Sequence, residues 1–322
     1  MDLRSNVDTL IDRFKDGDKM ALAKAMTLVE NGASELVDRI KSEKNMKSES
    51  EPWIIGITGA PGVGKSTLID KLIDPFSTDN KRVFVFAVDP TSKLSGGAIL
   101  GDRVRMQRYA TNDNVFIRSV ATRGSNGGVS YHLIDMIDLA LAFGYDIVIV
   151  ETVGAGQIDL DIFDISDTTV LVLMPEQGDG IQTYKAGMTE MADIFVINKA
   201  DKRGADKMVE QLRVMMSTRA VRKWQSPILK VISTENVGID ILVKELKRHR
   251  RYLLSSKKIK DRERLRKLMK VKGNMLAKFE ASLSKTLEGL SNEELDSLNR
   301  HEMYIRILKN FLDGKEGEDE CQ

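Results

Sequence analysis

The chain has 322 residues, 42% hydrophobic and 30% charged, with a net charge of +1, which allows a sizeable core and long solvated helices but gives no global field favouring nucleic acid or membrane. A single cysteine, Cys321, excludes an intrachain disulfide framework, and three scattered histidines (His132, His249, His301) lack metal-ligand spacing. The N-terminus has no signal-peptide core and the apolar runs are of strand length, so the expectation is a cytoplasmic protein that does not span a membrane.

Residues 1–50 read as a helical extension. Val7, Leu10, Ile11 and Phe14 recur at helical spacing, as do Ala21, Ala25, Leu28 and Val29. Asn31-Gly32 ends one predicted helix, a further helix is expected over Ala33–Lys44, and "KNMKSESEP" reads as a linker.

From Trp53 the pattern changes. Strands are expected at Trp53–Thr58, Arg82–Val88, Val115–Ser119, Asp146–Glu151, Thr168–Met174, Asp193–Asn198 and Ile228–Ser233. Several are apolar almost throughout, as parallel strands covered on both faces are. Helical stretches such as Gly64–Ile73, Val129–Phe143 and Ala205–Ser217 separate them. The expected fold is α/β, a doubly wound, mostly parallel sheet over residues 51–240. Residues 241–322 are expected to be helical and charged, with an apolar stripe at Leu265, Leu268, Met269, Met275, Leu276, Phe279 and Leu283. Ser291 is a candidate N-cap, and the basic run from Lys244 to Lys272 reads as a solvated face, since no aromatics interleave it for RNA binding.

The chemistry-bearing motifs fall at strand ends. "GAPGVGKST" matches G-x-x-x-x-G-K-[ST] between a predicted strand and a predicted helix. Glycines let the backbone N–H groups of Gly62, Val63, Gly64, Lys65, Ser66 and Thr67 turn toward phosphate oxygens at a helix N-terminus. Lys65 suits the β- and γ-phosphates, and Ser66 suits Mg²⁺. "INKAD" places Asn198, Lys199 and Asp201 at another strand end. A carboxylate at Asp201 accepts from both the N1 and N2 donors of guanine, whereas adenine offers it an acceptor. Asn198 would support N7 and the loop, and Lys199 would cover the base plane. "ISTE" supplies Ser233 and Thr234 as further candidate base contacts. Mg²⁺ prefers oxygen ligands, and Asp89, Asp102 and Glu151 are the carboxylates at the right points of the pattern. Arg103, Arg105, Arg108, Arg118 and Arg123 crowd one segment, and the sequence does not single out one for catalysis.

Together these blocks resemble the MeaB/ArgK-type P-loop GTPases, a group that includes chaperones of methylmalonyl-CoA mutase. The resemblance rests on "GITGAPGVGKSTLID", "VDPTSKLSGGAILGDRVRMQ", "FIRSVATRGSNGGVS", "GYDIVIVETVGAGQ" and "MPEQGDGIQTYKAGMTEMADIFVINKAD". It is dense from Trp53 to Gly238 and loose in the helical ends. It implies GTP hydrolysis to GDP, slow alone and stimulated by a partner, coupled to delivery and protection of adenosylcobalamin on an acyl-CoA mutase. The cobalamin would be bound by the mutase, not by this chain. It also implies a homodimer built through the helical arm 241–322. Lys65, Asp89 and Glu151 fall on catalytic positions, and Ser66, Asp89, Asp102 and Glu151 on magnesium and switch positions. Asn198 and Asp201 fall on guanine recognition, Gly154 and Gln157 on the switch loop, and Gln182 and Lys185 on a switch that answers the mutase. Three departures are visible: Asp179-Gly180-Ile181-Gln182 where Asp-Glu-Leu-Gln is familiar, Lys93 where Pro is frequent, and "STEN" in the base loop. Alternatives are a GTP-dependent kinase or regulator linked to amino-acid transport, and a non-catalytic scaffold ordered by nucleotide. A nickel-delivery GTPase would need Cys/His clusters that this sequence lacks.

Overall fold

A computed structural model describes residues 3–43, 51–78, 81–89, 107–109, 111–121, 131–152, 158–175, 190–217, 223–290 and 299–313. The chain separates into two compact units, residues 1–266 and 267–322.

The first unit is built on a seven-stranded parallel sheet: β1 (Trp53–Thr58), β2 (Val83–Asp89), β3 (Val115–Ala121), β4 (Ile147–Glu151), β5 (Thr168–Leu173), β6 (Ile194–Ile197) and β7 (Ile228–Lys230). Their order is β3-β2-β4-β1-β5-β6-β7, with every neighbouring pair parallel. The reversal of strand order beside β1 is where ligands bind in such sheets, outside the carboxyl ends of the strands. Strands β1, β4, β5 and β6 are buried at every position, which explains their near-continuous Ile, Val and Leu runs.

Helices α4 (Lys65–Thr78), α5 (Tyr131–Ala142), α6 (Ile158–Ile165), α7 (Ala205–Ser217) and α8 (Ile239–Ser255) flank the sheet. α8 sends Leu242 and Leu246, both fully buried, into the cluster formed by Trp53, Ile55, Leu72 and Val170. Each such side chain contributes roughly 1.5–3 kcal/mol by leaving water.

Most expected boundaries shift by a residue or two, and two larger differences have a visible cause. α4 passes Ile73 and keeps Pro75 inside it. Phe76, 1% exposed, packs edge-on to Trp53 at 5.7 Å, and the Ser77 and Thr78 hydroxyls donate to the Asp74 carbonyl, so burial and local bonds offset the amide that proline lacks. β7 stops at Lys230, short of Ser233. Ile232 bridges back to Val237 and Asn236 takes a left-handed φ of 60°, turning Ser233–Glu235 into one short helical turn.

Three N-terminal helices, α1 (Leu3–Lys15), α2 (Lys19–Glu30) and α3 (Glu35–Glu43), precede the sheet. Asp18 caps α2 by accepting from the Met20 amide at 2.7 Å. Phe14 packs edge-on to Phe143 at 5.1 Å, just past α5, and Arg118 of β3 pairs with Glu30 at 2.8 Å. The extension is thus joined to the β3 edge of the sheet.

At the amino edge of the sheet lies a buried polar chain. Trp53 Nε1 donates to Thr168 Oγ1 at 3.0 Å, and Thr168 Oγ1 meets His249 Nδ1 at 2.9 Å. His249 Nε2 faces Asp193 Oδ1 at 3.4 Å, and Asp193 Oδ2 accepts from the Thr169 amide at 2.9 Å. Burial pushes the His249 imidazole below its ordinary pKa, with the Asp193 carboxylate opposing.

α9 (Lys258–Glu288) starts in the first unit and enters the second, which also holds α10 (Arg300–Asp313). Within the second unit Phe279 meets Phe311 edge-on at 5.6 Å, and Ile307 is 5% exposed. Leu268, Val271, Met275 and Leu276 are each more than half exposed. Ser291, expected as a cap, lies outside the described residues. Among the described residues no helix is long and apolar enough to cross a membrane.

Candidate functional site

The loop after β1 is shaped by close approaches that only glycine allows. Gly59 has φ 146°, and a Cβ there would stand 2.1 Å from the Val172 carbonyl oxygen of β5. Gly64 has φ 93°, and its Cβ would stand 2.4 Å from Asn198 Nδ2. The loop delivers Lys65 and Ser66 to the first turn of α4. Lys65, 6% exposed, curls back so that Nζ donates to the carbonyls of Gly59 at 2.8 Å and Ala60 at 3.2 Å.

Glu151 ends β4 with Ile57 of β1 and Ala87 of β2 as its register partners. That register sets it over the phosphate loop, where Oε1 accepts from Ser66 Oγ at 2.7 Å. The next residue is tied down as well: the Thr152 amide donates to the Ile57 carbonyl at 3.1 Å, and the Thr152 hydroxyl donates to that of Thr58 at 2.9 Å. Asp89 closes β2 opposite Ala121, two positions beyond the strand partner of Glu151. Asp102, Gly154, Gln157, Gln182 and Lys185 lie outside the described residues.

The third loop follows β6. Asn198, 2% exposed, donates from Nδ2 to the Val63 carbonyl at 2.9 Å. Its Oδ1 accepts from the amide of Ser233 at 3.2 Å and from its hydroxyl at 2.9 Å. Lys199 takes a left-handed φ of 54° and reaches the Gly62 carbonyl with Nζ at 2.7 Å. A long side chain in that region marks a backbone held by its surroundings. The Ala200 amide donates to the Val231 carbonyl at 3.2 Å. Asp201 and Thr234 are both exposed beside this knot. The structure therefore brings Gly62 to Thr67, Glu151, Asn198, Lys199 and Ser233 into one cluster.

Within it, Ser233 is committed to Asn198 and is 2% exposed, so its visible part is to hold the loop. Two described arginines of the crowded segment point elsewhere. Arg108 pairs with Asp70 and Asp74, and Arg118 pairs with Glu30. Arg103, Arg105 and Arg123 lie outside the described residues. Thr58 and Thr152 were not singled out from the sequence, and a lone Thr at each strand end gives no signal that could have found them.

The donor set fits a small hard cation. A hydroxyl and a carboxylate oxygen stand 2.7 Å apart at a helix N-terminus that also suits phosphate, and Mg²⁺ favours such oxygens with phosphate completing its shell.

Residues 22–286 match the family model described as methylmalonyl-CoA mutase-associated GTPase MeaB. The chain belongs to this family. A candidate GTPase of Pyrococcus abyssi is 42% identical over 321 residues, covering 96% of this chain and 98% of that one. A mitochondrial methylmalonic aciduria type A homolog of Caenorhabditis elegans is 39% identical over 209 residues, covering 61% of this chain and 52% of that protein. A crystal structure of a LAO/AO transport system kinase superposes with a TM-score of 0.64 at 24% identity, covering 96% of this chain and 98% of that one. That likeness establishes the P-loop fold alone. The MeaB family membership carries nucleotide hydrolysis and a link to methylmalonyl-CoA mutase in general terms.

Proposed function

We propose that this protein hydrolyses GTP and couples the cycle to an adenosylcobalamin-dependent acyl-CoA mutase, gating delivery of the cofactor and protecting the enzyme. The observation that carries the reading is the Ser66–Glu151 hydrogen bond at 2.7 Å, which sets a strand-end carboxylate against the phosphate loop. Cobalamin belongs to the mutase in this reading.

GTP would lie with its phosphates on the amides of Gly62 to Thr67. Lys65 would leave the carbonyls of Gly59 and Ala60 for the β- and γ-phosphates, exchanging neutral acceptors for charged ones. Ser66, Glu151, Asp89 and Asp102 are the residues that would hold Mg²⁺, directly or through water. When bound, the ion offsets charge on the phosphate oxygens. A water oxygen bonds to the γ-phosphorus while the bridge to the β-phosphate breaks, the water's proton passes to the phosphate oxygens, and GDP and inorganic phosphate leave. Glu151 gives up the Ser66 hydroxyl on nucleotide binding and so reads the γ-phosphate, with Gly154 and Gln157 in the adjoining loop. Asp201 takes the guanine N1 and N2 donors, Lys199 and Thr234 flank the base, and Asn198 with Ser233 braces the loop beneath it. Gln182 and Lys185 couple the cycle to the mutase.

By role, residues 1–50 form a helical extension, 51–240 the GTPase region and 241–322 a dimerisation arm. The exposed apolar set Leu268, Val271, Met275 and Leu276 supports a homodimer. The protein is proposed to act in the cytoplasm, slowly alone and faster with its partner. Turnover measured with and without each cobalamin-dependent acyl-CoA mutase of the same cell tests the reading. Acceleration by one of them is expected, and no acceleration by any would sink it.

A further inference from the structure

The helix that follows the Glu151 loop ends on two guanidinium groups from a distant part of the chain. Arg262 Nη1 donates to the Phe163 carbonyl at 2.7 Å, and Arg266 Nη1 donates to the Ile165 carbonyl at 3.1 Å. Phe163 and Ile165 are in the last turn of α6, where carbonyls lack helical partners and the helix dipole favours cations. Arg262 and Arg266 are four residues apart on α9, so they share one face. They belong to the basic run expected to be a solvated face, yet their side chains are 25% and 13% exposed.

Both arginines are anchored in turn. Arg266 pairs with Asp167, 1% exposed, whose Oδ2 accepts from the Ile54 amide at 2.8 Å. Arg262 lies 3.6 Å from Asp193 Oδ2. From the sheet side, Gly56 of β1 comes so close that a Cβ would stand 2.2 Å from Ser166 Oγ and 2.6 Å from Ile162 Cγ1. The carboxyl end of α6 is therefore clamped between β1 and α9. Its amino end follows Thr152, which is bonded to Thr58 beside the phosphate loop. Its eight helical residues span about 12 Å.

We infer that Arg262 and Arg266 are positioning residues for nucleotide hydrolysis. They fix the carboxyl end of α6, the first described helix after Glu151 in the chain, and act on hydrolysis through that helix rather than by touching nucleotide. The inference rests on the GTPase reading above.

The full-length chain tests it, by single-turnover GTP hydrolysis, by titration with a fluorescent GDP analogue, and by amide hydrogen exchange over residues 158–165. Arg262→Gln removes a helix cap but leaves Asp193 its bond from the Thr169 amide and its 3.4 Å contact with His249. It is expected to slow hydrolysis about tenfold, while GDP affinity stays within about twofold, since misplacement by 1 Å can cost a hundredfold. Exchange over 158–165 should quicken, and Arg262→Lys should recover much of the rate. Arg266→Gln would strand buried Asp167, so Arg266→Lys is the second variant, expected to slow hydrolysis about threefold with GDP affinity retained. It carries the test if Arg262→Gln fails to fold. Wild-type rates in the folded variants, or parallel loss of GTP and GDP affinity with the rate at saturation unchanged, would overturn the inference. A wild type that turns over no GTP overturns the GTPase reading and this inference with it; an active wild type matched by the variants overturns this inference alone.

Discussion

Asn198 Nδ2 donates to the Val63 carbonyl at 2.9 Å, so the first residue of the loop after β6 is also a brace of the phosphate loop. Its Oδ1 meanwhile takes two bonds from Ser233. Asn198→Ala would leave four buried or half-buried groups without this partner, the carbonyls of Val63 and Gly64 and the amide and hydroxyl of Ser233. An unsatisfied buried group costs about 1–3 kcal/mol, so a fall of that order in unfolding free energy is expected in urea melts. GDP and GTP affinity should fall together in the same variant, read by titration.

Glu151→Ala should act differently. Ser66 regains a hydroxyl free to turn, and Lys65 is untouched, so GDP affinity should change little. Hydrolysis should drop by roughly a hundredfold, the scale of losing one preorganised electrostatic group. Single-turnover assays beside GDP titration separate the two effects.

Asp201→Asn exchanges a carboxylate that suits two donors for an amide that can also donate. GDP affinity should fall by about two orders of magnitude, as when a polar base-reading group is mismatched. Xanthosine diphosphate, which presents a carbonyl where guanine has an amino group, should gain relative to GDP. Competition titrations with both nucleotides check this.

His249 gives the pH prediction. Its folded pKa is depressed by burial from an ordinary value of 6.5. Between that depressed value and 6.5 the unfolded chain binds a proton that the folded chain does not, so stability rises with pH. Stability should be full above about pH 6.5 and decline as pH falls toward the depressed folded value. Urea melts from pH 7.5 downward measure the slope, and His249→Asn should flatten it over this window.

Strands β1 and β5 and helix α7 were legible in the sequence because their patterns are strong and local. Trp53–Thr58 is apolar on both faces, and Ala205–Ser217 repeats at helical spacing after a glycine. The end of β7 was not legible, since it depends on a bridge between Ile232 and Val237 and on the left-handed Asn236. α4 hid its last turn behind Pro75, whose tolerance comes from the burial of Phe76. In the site, the phosphate loop and Asn198-Lys199-Ala200-Asp201 show as motifs because backbone shape and base chemistry restrict their residues. The bonds from Ser233 to Asn198, from Thr152 to Thr58, and from Arg262 to Phe163 join distant positions of ordinary polarity. No local pattern marks them, and they emerge when the sheet order brings those positions together.

The absent methyl at Gly59 bears on how substrate and product are told apart. With the Val172 oxygen 2.1 Å from where a Cβ would sit, and with Lys199 and Asn198 holding Gly62 and Val63, the cradle has little freedom to reshape around its cargo. A rigid cradle grips the α- and β-phosphates of GTP and GDP alike, and binding shared equally by two states favours neither. On the proposed GTPase reading, selectivity for the triphosphate would then fall on the adjoining Ser66–Glu151 pair. The labour would then be divided: one edge of the pocket would retain a nucleotide, and the other would ask which one it is.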